Sequence, residues 1–109
     1  MANLSARVGS IGDDRLGGWY GYRASKAAQN MFTRNLAIEL GRRYPHLAVV
    51  ALHPGTVATD LSAPFTRRRE PSSLHSPDAA AGHLLDVVRG LTAEDTGRFF
   101  AWDGKEIPW

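Results

Sequence analysis

Apolar positions change their period along this chain, and the changes predict its elements. Between Tyr20 and Arg42 the residues Ala24, Ala27, Ala28, Met31, Phe32, Leu36 and Leu40 recur at helical spacing, which predicts a helix about 30 Å long with that row buried. Gly41 and Pro45 suit its exit. Leu47 to Leu52 is apolar without alternation, the mark of a parallel strand covered on both faces, expected over 46–53. The first few residues read as the stub of another strand ending near Leu4 to Ala6, so strand, long helix and strand form a right-handed crossover.

Polar punctuation supplies the rest. Residues 7–19 are rich in Gly and Asp and form a loop. The Pro, Ser and Arg of 60–75 suggest a mobile substrate loop or lid. Ser76-Pro77-Asp78 begins a second helix, with Ser as N-cap and Pro in the first turn, running to about Gly90. Arg98 to Trp102 makes a third strand closed by the Asp103-Gly104 turn.

Composition narrows the function classes. The 109 residues allow at most one domain, and 43% hydrophobic with 22% charged residues is ordinary for a globular chain. A net charge of +2 gives no reason to expect a nucleic-acid partner. The one basic run, Arg67-Arg68-Arg69 between Pro64 and Pro71, reads as a solvated loop. The absence of cysteine excludes disulfides and thiolate metal sites. His46, His53, His75 and His83 lack a metal-ligand spacing, so no metal is expected. No apolar run reaches membrane-spanning length and no signal-peptide pattern opens the chain, so a reducing cytoplasm is the expectation.

One constellation carries chemistry. Tyr22 and Lys26 are four apart in the first helix and share a face. An ammonium beside a phenol favours the phenolate, which suits a general acid/base near neutral pH. Ser10, twelve positions before Tyr22 on a glycine-bearing loop, could hold a substrate oxygen. Taken alone the pair is weak evidence, because Lys26 snorkelling to water beside a rim-packed Tyr22 gives the same pattern. The topology adds weight: Ser10 and the Pro54-Gly55 turn both follow strand C-terminal ends, where open α/β sheets bind ligands.

Longer segments extend the picture. Asn3-Leu4-Ser5-Ala6-Arg7-Val8-Gly9-Ser10-Ile11, Trp19 through Ala28, His53-Pro54-Gly55-Thr56-Val57-Ala58-Thr59-Asp60 and Gly97 through Trp109 together resemble the short-chain dehydrogenase/reductase family. The tail resembles the carbonyl-reductase branch that includes sniffer and the C-factor. The resemblance implies an α/β fold, the C-terminal half of a Rossmann-type doubly wound parallel sheet, with residues 1–109 as one partial domain. It implies an NAD- or NADP-dependent carbonyl reductase or alcohol dehydrogenase acting on a small carbonyl or alcohol. In it Tyr22 would donate or accept the proton, Lys26 would tune Tyr22 and hold the nicotinamide ribose, and Ser10 would orient the substrate oxygen. Pro54, Gly55, Val57 and Thr59 would shape the nicotinamide pocket.

Departures from the family pattern are equally informative. Gly9 occupies the commoner spacing for the family's serine, thirteen before Tyr22, and Ala6 replaces a frequent second serine, which leaves Ser10 with Ser5 as the fallback. The glycine-rich pyrophosphate turn has no counterpart; Gly9 to Gly12 and Gly17-Gly18 lack its spacing. The expectation is therefore a truncated gene product or a misplaced start. Two readings stand: the catalytic half of an oxidoreductase, or an inert remnant or interaction module open to self-association through its exposed first strand.

Overall fold

The computed structural model describes residues 1–55 and 76–109. Three short strands, β1 (Ala2–Leu4), β2 (Val50–His53) and β3 (Phe99–Ala101), form one sheet in the order β1-β2-β3, and both pairings are parallel. Helix α1 (Tyr20–Arg43) connects β1 to β2, and helix α2 (Pro77–Arg89) precedes β3. The expected α/β class, strand count and helix count are all present. The expected lid at 60–75 and the basic run at 67–69 lie outside the described residues.

The central strand shows why the apolar run folds as it does. Val49 to Leu52 are almost wholly buried, because alternate side chains meet opposite layers. Ala51 packs with Phe99, Ala101 and Ile107 on one face, with Trp109 against them. Val50 and Leu52 pack with Phe100 on the other face, under Leu84, Val87 and Leu91 around α2. Ser76 caps α2 by accepting from the Ala79 amide at 3.1 Å, as its position before Pro77 requires.

Beyond β3 the chain doubles back. The Ala101 amide donates to Lys105 at 2.8 Å and the Ile107 amide to Phe99 at 2.7 Å, so residues 105–107 cover the outer edge of β3. Trp109 then stacks on Phe99 with centroids 5.5 Å apart. β1 has no such cover among the described residues.

Helix α1 corrects the sequence reading at one point. Ala24, Ala28, Met31 and Phe32 are exposed, whereas Asn30, Thr33 and Ala37 are buried. The buried row is polar because it meets the end of β1: Asn3 Nδ2 donates to Thr33 Oγ1 at 3.0 Å, and Ser5 Oγ donates to Asn30 Oδ1 at 2.6 Å. Helical spacing detects apolar rows, but a polar row satisfied by a neighbouring strand escapes it.

Candidate active site

The site is built where the C-terminal ends of β1 and β2 meet the first turns of α1. After β1 the chain makes a 3-10 turn at Arg7–Gly9, which lies directly on α1. A Cβ added at Gly9 would stand 2.7 Å from Lys26 Cβ and 2.9 Å from its backbone carbon. Only glycine allows this approach, so the commoner serine position in front of Tyr22 cannot hold a serine here. His53, at the end of β2, fastens the same turn by accepting the Arg7 amide on Nδ1 at 3.1 Å.

Tyr22 and Lys26 do come together on the half-buried side of α1. Lys26 Nζ lies over the Tyr22 ring, 5.9 Å from its centroid, within reach of a cation–π attraction. The same nitrogen donates to Gln29 Oε1 at 3.2 Å, and Gln29 Nε2 donates to the Leu4 carbonyl at 2.6 Å. Gln29 thus ties the lysine to the end of β1. Sequence reasoning missed it, although its position three after Lys26, on the same face, was the signal.

The serines are placed differently. Ser10 is 1% exposed; its hydroxyl donates to the Pro108 carbonyl and accepts the Asp13 amide at 3.1 Å. The neighbouring Ile11 amide donates to the Trp109 carbonyl at 2.6 Å. The C-terminal tail and the loop are therefore clamped together through Ser10. Ser5, the fallback, is buried on Asn30, whose Nδ2 is a buried donor without an acceptor among the described residues. Both hydroxyls are committed to scaffolding in this arrangement.

The approach to Tyr22 is held by a residue the sequence did not flag. Gly17, Gly18 and Trp19 all have positive φ (68°, 76° and 50°), a conformation costly for tryptophan, by roughly 1–2 kcal/mol. Arg23 stabilises it. Its guanidinium donates to the Gly18 carbonyl at 2.9 Å and the Gly17 carbonyl at 3.3 Å, stands 3.4 Å from Asp14, and lies over the Trp19 ring.

Pro54 and Gly55 are half-buried just past β2, with Gly55 at φ 80°, a turn conformation that favours glycine. Val57 and Thr59 lie outside the described residues. A dinucleotide fits this surface only in part. Tyr22, Lys26 and the Pro54-Gly55 turn could face a nicotinamide ribose. The Gly9 and Ser10 amides already bond within their own turn, and the start of α2 is capped by Ser76 and carries Asp78, so neither offers free amides to a pyrophosphate.

Comparison with known proteins agrees with this fold. The model of the short chain dehydrogenase family matches residues 7–70. The C-signal protein of Myxococcus xanthus is 40% identical over 109 residues, all of this chain and 60% of that protein. The 1-hydroxy-2-glutathionyl-2-methyl-3-butene dehydrogenase of Rhodococcus sp. strain AD45 is 42% identical over 97% of this chain and 45% of its own length. Among solved structures, an NADPH-bound carbonyl reductase from chicken fatty liver superposes with a TM-score of 0.83 at 38% identity, covering 99% of this chain and 42% of that one. The carbonyl reductase Sniffer of D. melanogaster gives 0.83 at 30% identity, over 99% and 40%. The chain thus spans between about two fifths and three fifths of these four proteins.

Proposed function

The chain belongs to the short-chain dehydrogenase family, and from that premise we propose that it carries the catalytic half of a nicotinamide-dependent oxidoreductase for a small carbonyl or alcohol. The observation that carries this reading is the Tyr22–Lys26 pair, held together on one helix face and locked to the strand end through Gln29. A carbonyl reduction needs a proton for the developing alkoxide and a hydride for the carbon. The nicotinamide supplies and receives the hydride. The chain's own residues handle the proton and the orientation.

In this reading Tyr22 gives its phenolic proton to the substrate oxygen, or takes one back in the oxidation direction. Lys26 keeps its ammonium beside the Tyr22 ring and offers N–H donors to the ribose. Pro54 and Gly55 shape the nicotinamide pocket, a role the family resemblance assigns also to Val57 and Thr59. Ser10 remains the hydroxyl assigned to the substrate oxygen, and that role requires its release from the Pro108 carbonyl. The partial fit to a dinucleotide makes full activity depend on protein surface that supplies a pyrophosphate turn.

The test joins this chain to the amino-terminal half of a family relative and follows oxidation of NADPH or NADH with simple aldehydes and ketones. Turnover is expected, and Tyr22→Phe should reduce it by roughly 10²–10⁴-fold. Near-normal turnover in that variant would make the pair structural. The second reading, a binding module without catalysis, is favoured by the committed Ser5 and Ser10 hydroxyls. It predicts no turnover in the joined protein even with Tyr22 intact.

A further inference from the structure

The ladder between β1 and β2 ends on a side chain. Where the strands still run together, the Ser5 amide donates to the Leu52 carbonyl at 2.7 Å. A parallel ladder steps by two residues, so the next amide aimed at β2 belongs to Arg7. By then β2 has ended at His53 and the chain turns at Pro54-Gly55, where Gly55 takes φ 80°. The His53 ring fills the gap, with Nδ1 accepting the Arg7 amide at 3.1 Å. One side chain thus holds the first residue of the 3-10 turn whose Gly9 lies on Lys26.

An imidazole accepts only through a nitrogen that carries no proton. The bond therefore fixes His53 as the neutral ring, with its proton on Nε2. A second proton would set an N–H against the Arg7 N–H, and the rung would be lost. Neighbouring charges oppose that proton. His53 shares a sheet face with Ala51 and Ala101 and, across the register, with Asn3, to which Thr33 of α1 is bonded. Among the described residues, the loop before α1 carries Arg7 paired with Asp13 at 3.4 Å, together with Arg15 and Asp14. Helix α1 brings Tyr22, Lys26 and Arg23, the last paired with Asp14 at 3.4 Å. Beyond Ala101, Asp103 pairs with Lys105 at 3.9 Å. Each of these carboxylates already has a cation, while Lys26 bonds the uncharged Gln29, so cations are in excess around the ring.

We propose that His53 is a positioning residue that makes the shape of the site depend on pH. Above about pH 6.5 the ring is neutral and holds the Arg7–Gly9 turn down on Lys26. Below it, the protonated ring drops the Arg7 amide, and the turn loosens from the part of α1 that carries Tyr22 and Lys26. Because the fold holds the neutral ring, the unfolded chain takes up the proton more readily. This contribution to stability is therefore full above about pH 6.5 and is lost as the pH falls. The coupling belongs to the chain itself; its consequence for turnover, a loss on the acid side, rests on the roles proposed above for Tyr22 and Lys26.

Nuclear magnetic resonance of the 109-residue chain between about pH 8 and 5, the range in which histidine changes charge, tests this. The Arg7 amide and Lys26 side-chain signals should move together, with the midpoint of the His53 ring. His53→Asn offers the same amide a carbonyl oxygen that does not titrate, so both signals should hold still. His53→Leu, with no acceptor, should show the low-pH positions throughout. In urea, the folding constant of the parent should fall roughly 2–10-fold more than that of His53→Asn across the range, the net effect of one hydrogen bond. His46, His75 and His83 titrate in both proteins and cancel in that difference. An Arg7 amide that ignores the His53 midpoint in the parent chain would overturn the proposal without any variant having to fold. The same movement persisting in His53→Asn would also overturn it. Coupling in this chain beside an inactive joined protein would uphold the proposal and sink only the catalytic reading.

Discussion

Replacing Gly9 with alanine tests the contact that gives the site its shape. The added methyl would stand 2.7 Å from Lys26 Cβ and 2.9 Å from the Lys26 backbone carbon, with the Ala27 amide nitrogen at 3.1 Å. Two of those three neighbours are helix backbone, which cannot swing aside as a side-chain tip can. Overpacking costs about 1–3 kcal/mol, and rigid neighbours put this case in the upper half, roughly 2–3 kcal/mol. For a domain of this size that lowers Tm by roughly 10–20 °C. Gly41 and Gly82 supply the control, because an added Cβ there meets nothing within 4 Å and both sit in helices. Alanine at either should stabilise by about 0.5–1 kcal/mol, through the conformational entropy that glycine loses on folding. Urea denaturation of the three variants, with unchanged m-values, reads all of this at once. If Gly9→Ala falls within about 0.5 kcal/mol of the parent while Gly82→Ala stabilises as expected, the 3-10 turn does not rest on Lys26 and the description of the site is wrong.

Ser10→Ala should destabilise the chain by about 1–3 kcal/mol by stranding the Asp13 amide and the Pro108 carbonyl; unchanged stability in the same denaturation experiment would return Ser10 to a purely substrate-facing role. Gln29→Leu should cost about 1 kcal/mol and release Lys26 from β1, seen as broadened or shifted Lys26 side-chain NMR signals; identical signals would show that the tether is not formed in solution. Calorimetric titration with NADPH and NADH should find affinities weaker than about 1 mM, because the sequence lacks the glycine-rich turn that holds a pyrophosphate; micromolar binding would reveal a phosphate site elsewhere in the chain.

Much of this architecture was legible in the amino-acid order because it depends on local chemistry. The unbroken apolar run at 47–52 could be buried only by layers on both sides, and the structure puts Val50 and Leu52 against one layer and Ala51 against the other. Ser76 and Pro77 announced the start of α2 because a cap is a contact between near neighbours. The i, i+4 spacing of Tyr22 and Lys26 placed them together for the same reason. Tertiary structure decided what depends on distant partners. Spacing nominates Ser10 as a substrate hydroxyl, yet a carbonyl 98 residues away accepts its hydrogen bond. The apolar row on α1 suggests a buried face, but the end of β1 satisfies Asn30 and Thr33 and turns Met31 and Phe32 outward. A hydrogen bond to a partner remote in sequence leaves no periodic trace, so burial of a polar side chain becomes visible only when the chain has folded.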